Sequence, residues 1–264
     1  MTHRVYKDPL TPEERETYET DLIAFCDREL DLLGSIKGLD VLYAGGSSLL
    51  WIEGLSQRIG ENGRLTALDT NTVRIEEGRE LLWEADLAAP VQLVAGDVFR
   101  PPFAPDTFDL AYSAGLFHEL DVRDGSAGGA LAALASVVRP GGRISTSDFV
   151  DRVPAVQLED EELQWELARE ISNAELYGIG SPERLVALHE ALLVGVRWRV
   201  LPPKPIRRLG KIVLAEEEPE ELRSLPARTR RRLRERLDAL RERIEREGYT
   251  RPASLYAEGF VTEN

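Results

Sequence analysis

Short apolar runs alternate with helix-like segments over residues 39–149, and this alternation constrains the fold more than any other feature. The runs have the length of buried strands, and the segments have the apolar spacing of helices. Strands are predicted at 39–44, 65–69, 91–94, 108–113 and 142–149, and helices at 48–59, 72–87 and 128–138. Because strands separated by helices pair in parallel through right-handed crossovers, we expect an α/β fold, a Rossmann-like αβα sandwich.

The pattern changes after Asp148. Helices are predicted at 157–176 and 181–193, followed by strands at 196–201 and 211–215. A turn that contains Pro separates these two strands, which favours an antiparallel pair at the sheet edge, where Pro is tolerated. The segment 227–247 predicts a charged helix with pairs such as Arg231–Glu235 four residues apart, and its apolar stripe is expected to dock on this domain or on a second subunit. The tail from 249 to 264 has no clear period.

The composition limits the classes of partner. The formal net charge is −14, whereas nucleic-acid binders gain most of their affinity from basic groups that neutralise phosphates. We therefore expect no nucleic-acid partner and no membrane partner. No apolar run approaches the roughly 20 residues of a membrane span, so a cytoplasmic location is expected. One cysteine, Cys26, and three scattered histidines provide no metal-ligand spacing, so no metal site is expected.

Small and acidic residues follow the predicted strands, at the sheet edge where open α/β folds bind ligands. Gly45 and Gly46 follow the first strand, and small residues there let a ligand approach the backbone. Asp69 follows the second strand and can accept two ribose hydroxyls, while Asp97 follows the third and can accept from a purine amine. The glycine loop alone is equally compatible with packing, and either acid alone is more simply an exposed strand end, but their common position indicates a nucleoside site.

Four ordered segments resemble the class I S-adenosylmethionine (SAM)-dependent methyltransferase family. They are the Val41–Gly46 segment, the Leu68-Asp69 pair, the stretch from Ala95 to Leu110 that is similar to "GD…LPF…FD", and the Leu134–Arg143 segment that is similar to "RVLKPGG". The resemblance implies a seven-stranded sheet of order 3-2-1-4-5-7-6 with only strand 7 antiparallel, and a SAM cofactor that leaves as S-adenosylhomocysteine. It places the cofactor against Tyr43, Ala44, Gly45, Gly46, Ser47, Asp69, Thr70, Asn71, Gly96, Asp97, Val98, Ser113, Ala114 and Gly115.

The first glycine motif departs from the family pattern. Tyr43 stands where the family usually has an acidic residue, and Ser47 and Leu49 stand where it has glycines. The missing acid removes a partner of the methionine amino group. The Tyr43 hydroxyl is the group that would replace the missing acid.

His118 follows the fourth strand, where the family often has a histidine facing the methyl group, and it is the candidate general base. A helix-capping or core position is the alternative. An insertion at 150–180 occupies the place of a substrate lid, so Trp165 and Tyr177 are candidate acceptor contacts or sheet-edge packing residues. Tyr18 of the N-terminal helix is a candidate contact of the acceptor or the cofactor, and Tyr6 is a candidate cofactor contact.

The predicted organisation is a cap helix at 1–38, a methyltransferase domain at 39–218 and a helical extension at 219–264. The predicted function is transfer of a methyl group from SAM to a small-molecule acceptor. One alternative is a protein of this fold that binds SAM structurally or not at all and catalyses another reaction. The other is a binding partner, and the extension also allows a homodimer.

Overall fold

The computed structural model describes residues 9–123, 125–216 and 220–262. Its sheet has the strand order β3-β2-β1-β4-β5-β7-β6. Strands β1 to β5 pair in parallel, and β7 is antiparallel to both β5 and β6. The strands are β1 (Asp40–Ala44), β2 (Arg64–Asp69), β3 (Val91–Ala95), β4 (Phe108–Ala114), β5 (Val138–Phe149), β6 (Val194–Leu201) and β7 (Ser254–Phe260). The predicted fold class and strand order are confirmed.

Helices cover both faces of this sheet. They are α1 (Pro12–Leu30), α2 (Leu49–Ile59), α3 (Thr72–Leu81), α4 (Ala127–Val137), α5 (Ala155–Ser172), α6 (Pro182–Leu192), α7 (Leu209–Leu214) and α8 (Ala227–Glu247). Leu30, Leu55 and Ile75 join α1, α2 and α3 in one apolar cluster, while Leu134 and Leu185 join α4 and α6 in another. The two clusters form the layers of the αβα sandwich. None of the described helices is long and apolar enough to cross a membrane.

The predicted strand at 211–215 is wrong, because these residues belong to α7 and the turn that ends it. A short apolar run fits a strand or a helix equally well, and here Leu209 is buried against Phe25 and Ile206. Strand seven is instead Ser254–Phe260, in the tail that shows no period. It is buried on both faces between β5 and β6, so its sequence has no polar alternation to reveal it. The division at residue 218 is therefore also wrong for the sheet, which the last described segment completes.

Helix α8 docks on α5 of the same chain. Leu233, Leu240 and Ile244 pack with Leu163 and Leu167 of α5 in an apolar cluster. Around this cluster Glu166 of α5 pairs with Arg232 and Arg236, and Glu159 pairs with Arg243. The pair expected along the helix, Arg231–Glu235, is present at 3.8 Å. The stripe thus packs within this chain, where it holds α5, the helix of the predicted lid, in place.

The carboxyl ends of β1 to β5 define one edge of the sheet, referred to below as the site edge. Because β7 is antiparallel, its first residue, Ser254, pairs with Phe149 at the end of β5. The segment just before β7 therefore also lies at the site edge. The Arg139–Gly142 segment lies at the opposite edge of the sheet. There Arg139 pairs with Asp40 and Asp109 and so links the starts of β1 and β4. The segment that resembles "RVLKPGG" thus has a structural role.

Candidate functional site

The glycine loop after β1 lies beside the end of β2. Gly45 has a left-handed φ of +74°, and its N–H donates to the carbonyl of Leu68 at 2.8 Å. An added Cβ there would lie 2.3 Å from Leu116 Cδ1, so this loop is packed closely against the segment after β4. Ser47 Oγ donates to Asp69 Oδ2 at 3.0 Å. The structure thus brings together Gly45, Ser47 and Asp69, as the sequence predicts.

The strand-end acids are held by backbone donors. Asp69 Oδ1 accepts from the N–H of Asn71 at 2.9 Å, and Asp97 Oδ1 accepts from the N–H of Phe99 at 2.9 Å. The N–H of Gly96 donates to the carbonyl of Asp69 at 3.0 Å, which holds the two loops side by side. Two carboxylates with remaining acceptor capacity beside a glycine loop fit the hydroxyls and the amine of an adenosine. These hydrogen-bond acceptors therefore suit the cofactor that the family uses.

Tyr43 occupies the part of the site where the family has the acidic partner of the methionine amino group. Its ring is buried and stacks on Tyr112 with a centroid distance of 6.0 Å. An added Cβ at Gly46 would lie 2.2 Å from the Tyr43 ring, so the ring fills the space under the loop. Burial raises the pKa of the Tyr43 hydroxyl far above its ordinary value. Tyr43 therefore supplies a neutral hydroxyl where the family has a carboxylate.

The remaining predicted cofactor residues lie on the same loops with different exposure. Thr70 is exposed, Val98 is buried in the core, and Ala44, Ala114 and Gly115 are at the ends of β1 and β4. Ser113 lies in the core with 1% exposure, and its hydroxyl has no hydrogen-bond partner among the described residues.

His118 is paired with Asp148, a residue that the sequence analysis missed. His118 Nδ1 lies 2.7 Å from Asp148 Oδ1, and both side chains are nearly buried. The Asp148 carboxylate also accepts from the backbone N–H groups of Phe117, His118 and Phe149. A carboxylate surrounded by donors assigns the Nδ1 proton to His118 and leaves Nε2 as the reactive nitrogen. The available signal was the position of Asp148 near the carboxyl end of strand five.

The charges around His118 decide its protonation state. Burial alone would lower the pKa of His118, but the charge and hydrogen bond of Asp148, with Glu119 and Glu161 nearby, raise it to about 9. Burial raises the pKa of Glu161 on α5 to about 7, against the opposing effect of His118. With a pKa of about 9, His118 is an imidazolium at neutral pH, and its catalytic role stays a prediction.

The segment after α5, which belongs to the predicted lid, is hydrogen-bonded to the loop that carries His118. The N–H of Tyr177 donates to the carbonyl of Leu120 at 2.8 Å, and the N–H of Gly178 donates to the carbonyl of His118 at 3.1 Å. Tyr177, Phe149 and Arg184 line a cavity of about 10 Å³ beside His118, room for about one water. The guanidinium of Arg184 lies 3.5 Å from the Tyr177 ring centroid. Tyr177 thus lies in the His118 region, and its role as an acceptor contact stays a prediction.

The other aromatic candidates lie farther out. Trp165 is 41% exposed on α5, close to Gly178. Tyr18 packs at the outer part of α1 against the cluster of Phe25, Ile206 and Leu209. Tyr6 is outside the described residues. Among the aromatic candidates that the structure describes, Tyr177 is therefore the one that lines the cavity beside His118.

Comparisons with known proteins find methyltransferases among the relatives of this chain. Residues 41–142 match the family model of a methyltransferase domain. The ubiquinone/menaquinone biosynthesis C-methyltransferase of Idiomarina loihiensis is 30% identical over 127 residues, which cover 48% of this chain and 49% of that protein. The chain thus spans about half the length of the curated relatives it matches.

Two solved structures share the fold. A SAM-dependent methyltransferase from Aquifex aeolicus matches with a TM-score of 0.51 and 20% identity, covering 74% of this chain and 92% of that chain. The YcgJ protein from Bacillus subtilis matches with a TM-score of 0.57 and 15% identity, covering 93% of this chain and 100% of that chain.

Proposed function

We propose that this chain is a class I SAM-dependent methyltransferase that transfers a methyl group from SAM to a small-molecule acceptor, because residues 41–142 match a methyltransferase domain and the sheet has the strand order of that fold. One observation carries the proposal. The nucleoside-type carboxylates Asp69 and Asp97 and the buried His118–Asp148 pair lie at the same edge of one sheet. This edge is where open α/β sheets bind their ligands.

Asp69 and Asp97 would hold the ribose and the adenine of the cofactor, with Gly45 and Gly46 beside its methionine part. When bound, SAM supplies an electrophilic methyl group on a positively charged sulfur. We expect helix α1 to cover this region, and its Glu29 accepts hydrogen bonds from Ser147 near the end of β5 and from Ser254 at the start of β7. A helix fixed in this way excludes water, which is a main task of the protein in an in-line methyl displacement.

At neutral pH the His118 imidazolium acts as a hydrogen-bond donor from Nε2. Such a donor stabilises an acceptor that carries negative charge on oxygen, because the site is buried and the interaction is weakly screened. Asp148 holds the ring orientation through Nδ1. The C-methyltransferase named above acts on carbon, and a phenolate-type oxygen would activate a neighbouring carbon in the same way. We therefore favour an acceptor with an ionised hydroxyl over one that needs a base.

The test is methyl transfer from methyl-labelled SAM to a panel of phenolic and enolic small molecules, with calorimetry of S-adenosylhomocysteine binding. We expect binding by the wild-type chain, weaker binding by Asp69→Ala, and label transferred to at least one acceptor. Arg231→Gln, on the outer surface of α8, is the control and should bind as the wild type does. Absence of both binding and transfer would overturn the proposal.

The packing of the glycine loop favours one alternative. Leu116 presses on Gly45, and Tyr43 replaces the usual acid. A protein that binds the cofactor only structurally would show S-adenosylhomocysteine binding without label transfer to any acceptor. The calorimetry and the transfer assay therefore separate the two functions.

A further inference from the structure

Arg251 lies at the site edge, in the segment just before β7. Its guanidinium carbon is 5.8 Å from the ring centroid of Phe25 on α1 and 5.8 Å from that of Phe149 at the end of β5. The Phe149 ring in turn lies 4.8 Å from the His118 ring, centroid to centroid. Arg251 is thus a near neighbour of the proposed catalytic histidine, separated from it by one aromatic ring.

This arginine has no ion pair and no hydrogen bond to any residue in the described ranges 9–123, 125–216 and 220–262. Its Nε is buried and unsatisfied. Arg28 lies 5.4 Å from the same Phe25 ring and also has a buried, unsatisfied Nε, but its terminal nitrogens have partners. They pair with Glu29 at 2.8 Å and donate to the carbonyl of Pro202 at 3.1 Å, whereas those of Arg251 do neither. A half-buried guanidinium without an acceptor is unfavourable, because its desolvation is not compensated. The arrangement therefore indicates that the acceptor comes from a ligand.

Neither Glu161 nor Asp160 pairs with the guanidinium of Arg251. The charge of Arg251 lowers the pKa of Glu161, but the two side chains lie beyond ion-pair distance. With a pKa of about 7, Glu161 is about half protonated at neutral pH. Asp160 is engaged by the hydroxyl of Tyr249. At this position a singly charged group suits Arg251 better than a doubly charged one such as a phosphate, because a second negative charge would be repelled by Glu161.

We propose that Arg251 binds the carboxylate of the methyl acceptor, and that Phe25 and Phe149 contact the apolar part of the same molecule. The planar guanidinium can donate two parallel hydrogen bonds to a carboxylate. The acceptor is then a small apolar or aromatic carboxylic acid, with its reactive oxygen near His118. This assignment rests on the proposed function, since it names the substrate class of that site.

The test compares three probes that share a phenyl ring: benzoate, benzyl alcohol and phenyl phosphate. Binding to the full chain is measured by calorimetry, with and without saturating S-adenosylhomocysteine. Trp51, whose ring lies 6.4 Å from Phe25, provides a second readout by fluorescence. We expect benzoate to bind at least about tenfold more tightly than benzyl alcohol, as for a charge-assisted hydrogen-bonded pair.

Variants of Arg251 decide the role of the side chain. Arg251→Met keeps much of the volume and should abolish the preference for benzoate, while Arg251→Lys should restore part of it. Arg231→Met, on the exposed face of α8, should bind benzoate as the wild type does. A thermal melt of each variant checks that it is folded.

Two outcomes overturn the inference. One is a wild-type chain that binds benzoate no better than benzyl alcohol, or less tightly than phenyl phosphate. The other is a folded Arg251→Met variant that keeps the preference for benzoate. Because S-adenosylhomocysteine binding is measured on the same samples, a protein that binds this product but ignores benzoate refutes the carboxylate assignment alone and leaves the proposed function standing.

Discussion

Replacing Asp148 with Asn should change both the protonation of His118 and the stability of the fold. The substitution keeps the shape of the side chain but removes the charge next to His118 Nδ1. It also turns one acceptor oxygen into an amide donor, although Phe117 and Phe149 direct backbone N–H groups at the carboxylate. One of these donors is then left without an acceptor inside the protein.

The size of the effect follows from the pKa of His118. Burial lowers this pKa and Asp148 raises it, with the result of about 9 against an ordinary 6.5. At about 1.4 kcal/mol per pH unit, the difference corresponds to roughly 3 kcal/mol in the free energy of unfolding. Because the folded-state pKa is raised, this stability is fully present below about pH 6.5 and is lost as the pH rises through about 9. In Asp148→Asn burial is no longer opposed by this charge, so the pKa should fall to about 6.5 or below.

The measurements are an NMR titration of the His118 ring and urea unfolding at about pH 6 and about pH 10. Because Glu161 titrates near pH 7, the chain with Asp148 and the Asp148→Asn variant are both prepared with Glu161→Gln. Glu119→Gln is the matched control. Its carboxylate lies 3.8 Å from His118 Nε2 but is 48% exposed, so its removal should shift the pKa of His118 much less. An unchanged His118 pKa in Asp148→Asn would refute the assigned role of this carboxylate.

Three further outcomes are expected. His118→Gln should lower kcat by about 100-fold or more, and the decline of wild-type activity above about pH 9 should disappear; activity that instead rises through pH 9 would make His118 a base. Asp69→Ala should weaken S-adenosylhomocysteine binding by about 1–3 kcal/mol in calorimetry, because its carboxylate is the predicted ribose acceptor. Glu166→Gln should lower the free energy of unfolding by roughly 1 kcal/mol in low-salt urea titrations and less in high salt, since Arg232 and Arg236 both pair with it across the α5–α8 contact. Glu162→Gln on the exposed side of α5 is its control, and equal losses in the two variants would contradict the role of that contact.

The sequence by itself determined the first five strands, the helices between them and the common position of the candidate cofactor residues. Apolar periodicity is a local signal, and parallel strands place their carboxyl ends together whatever the details of packing. Gly45, Asp69 and Asp97 could therefore be assigned to one edge before any contact was known. The same rule would have pointed to Asp148, which stands near the end of strand five.

Tertiary structure alone decided the elements whose character depends on distant partners. The run at 211–215 became a helix because Leu209 is buried against Phe25, and the segment 254–260 became a strand because β5 and β6 flank it. The pKa of His118 likewise depends on Asp148, 30 residues away. Arg251 gives no local signal at all, since its position between Phe25 and Phe149 joins parts of the chain that only the antiparallel course of β7 brings together. Local patterns encode secondary structure, whereas burial, charge and unsatisfied donors arise only when remote segments meet.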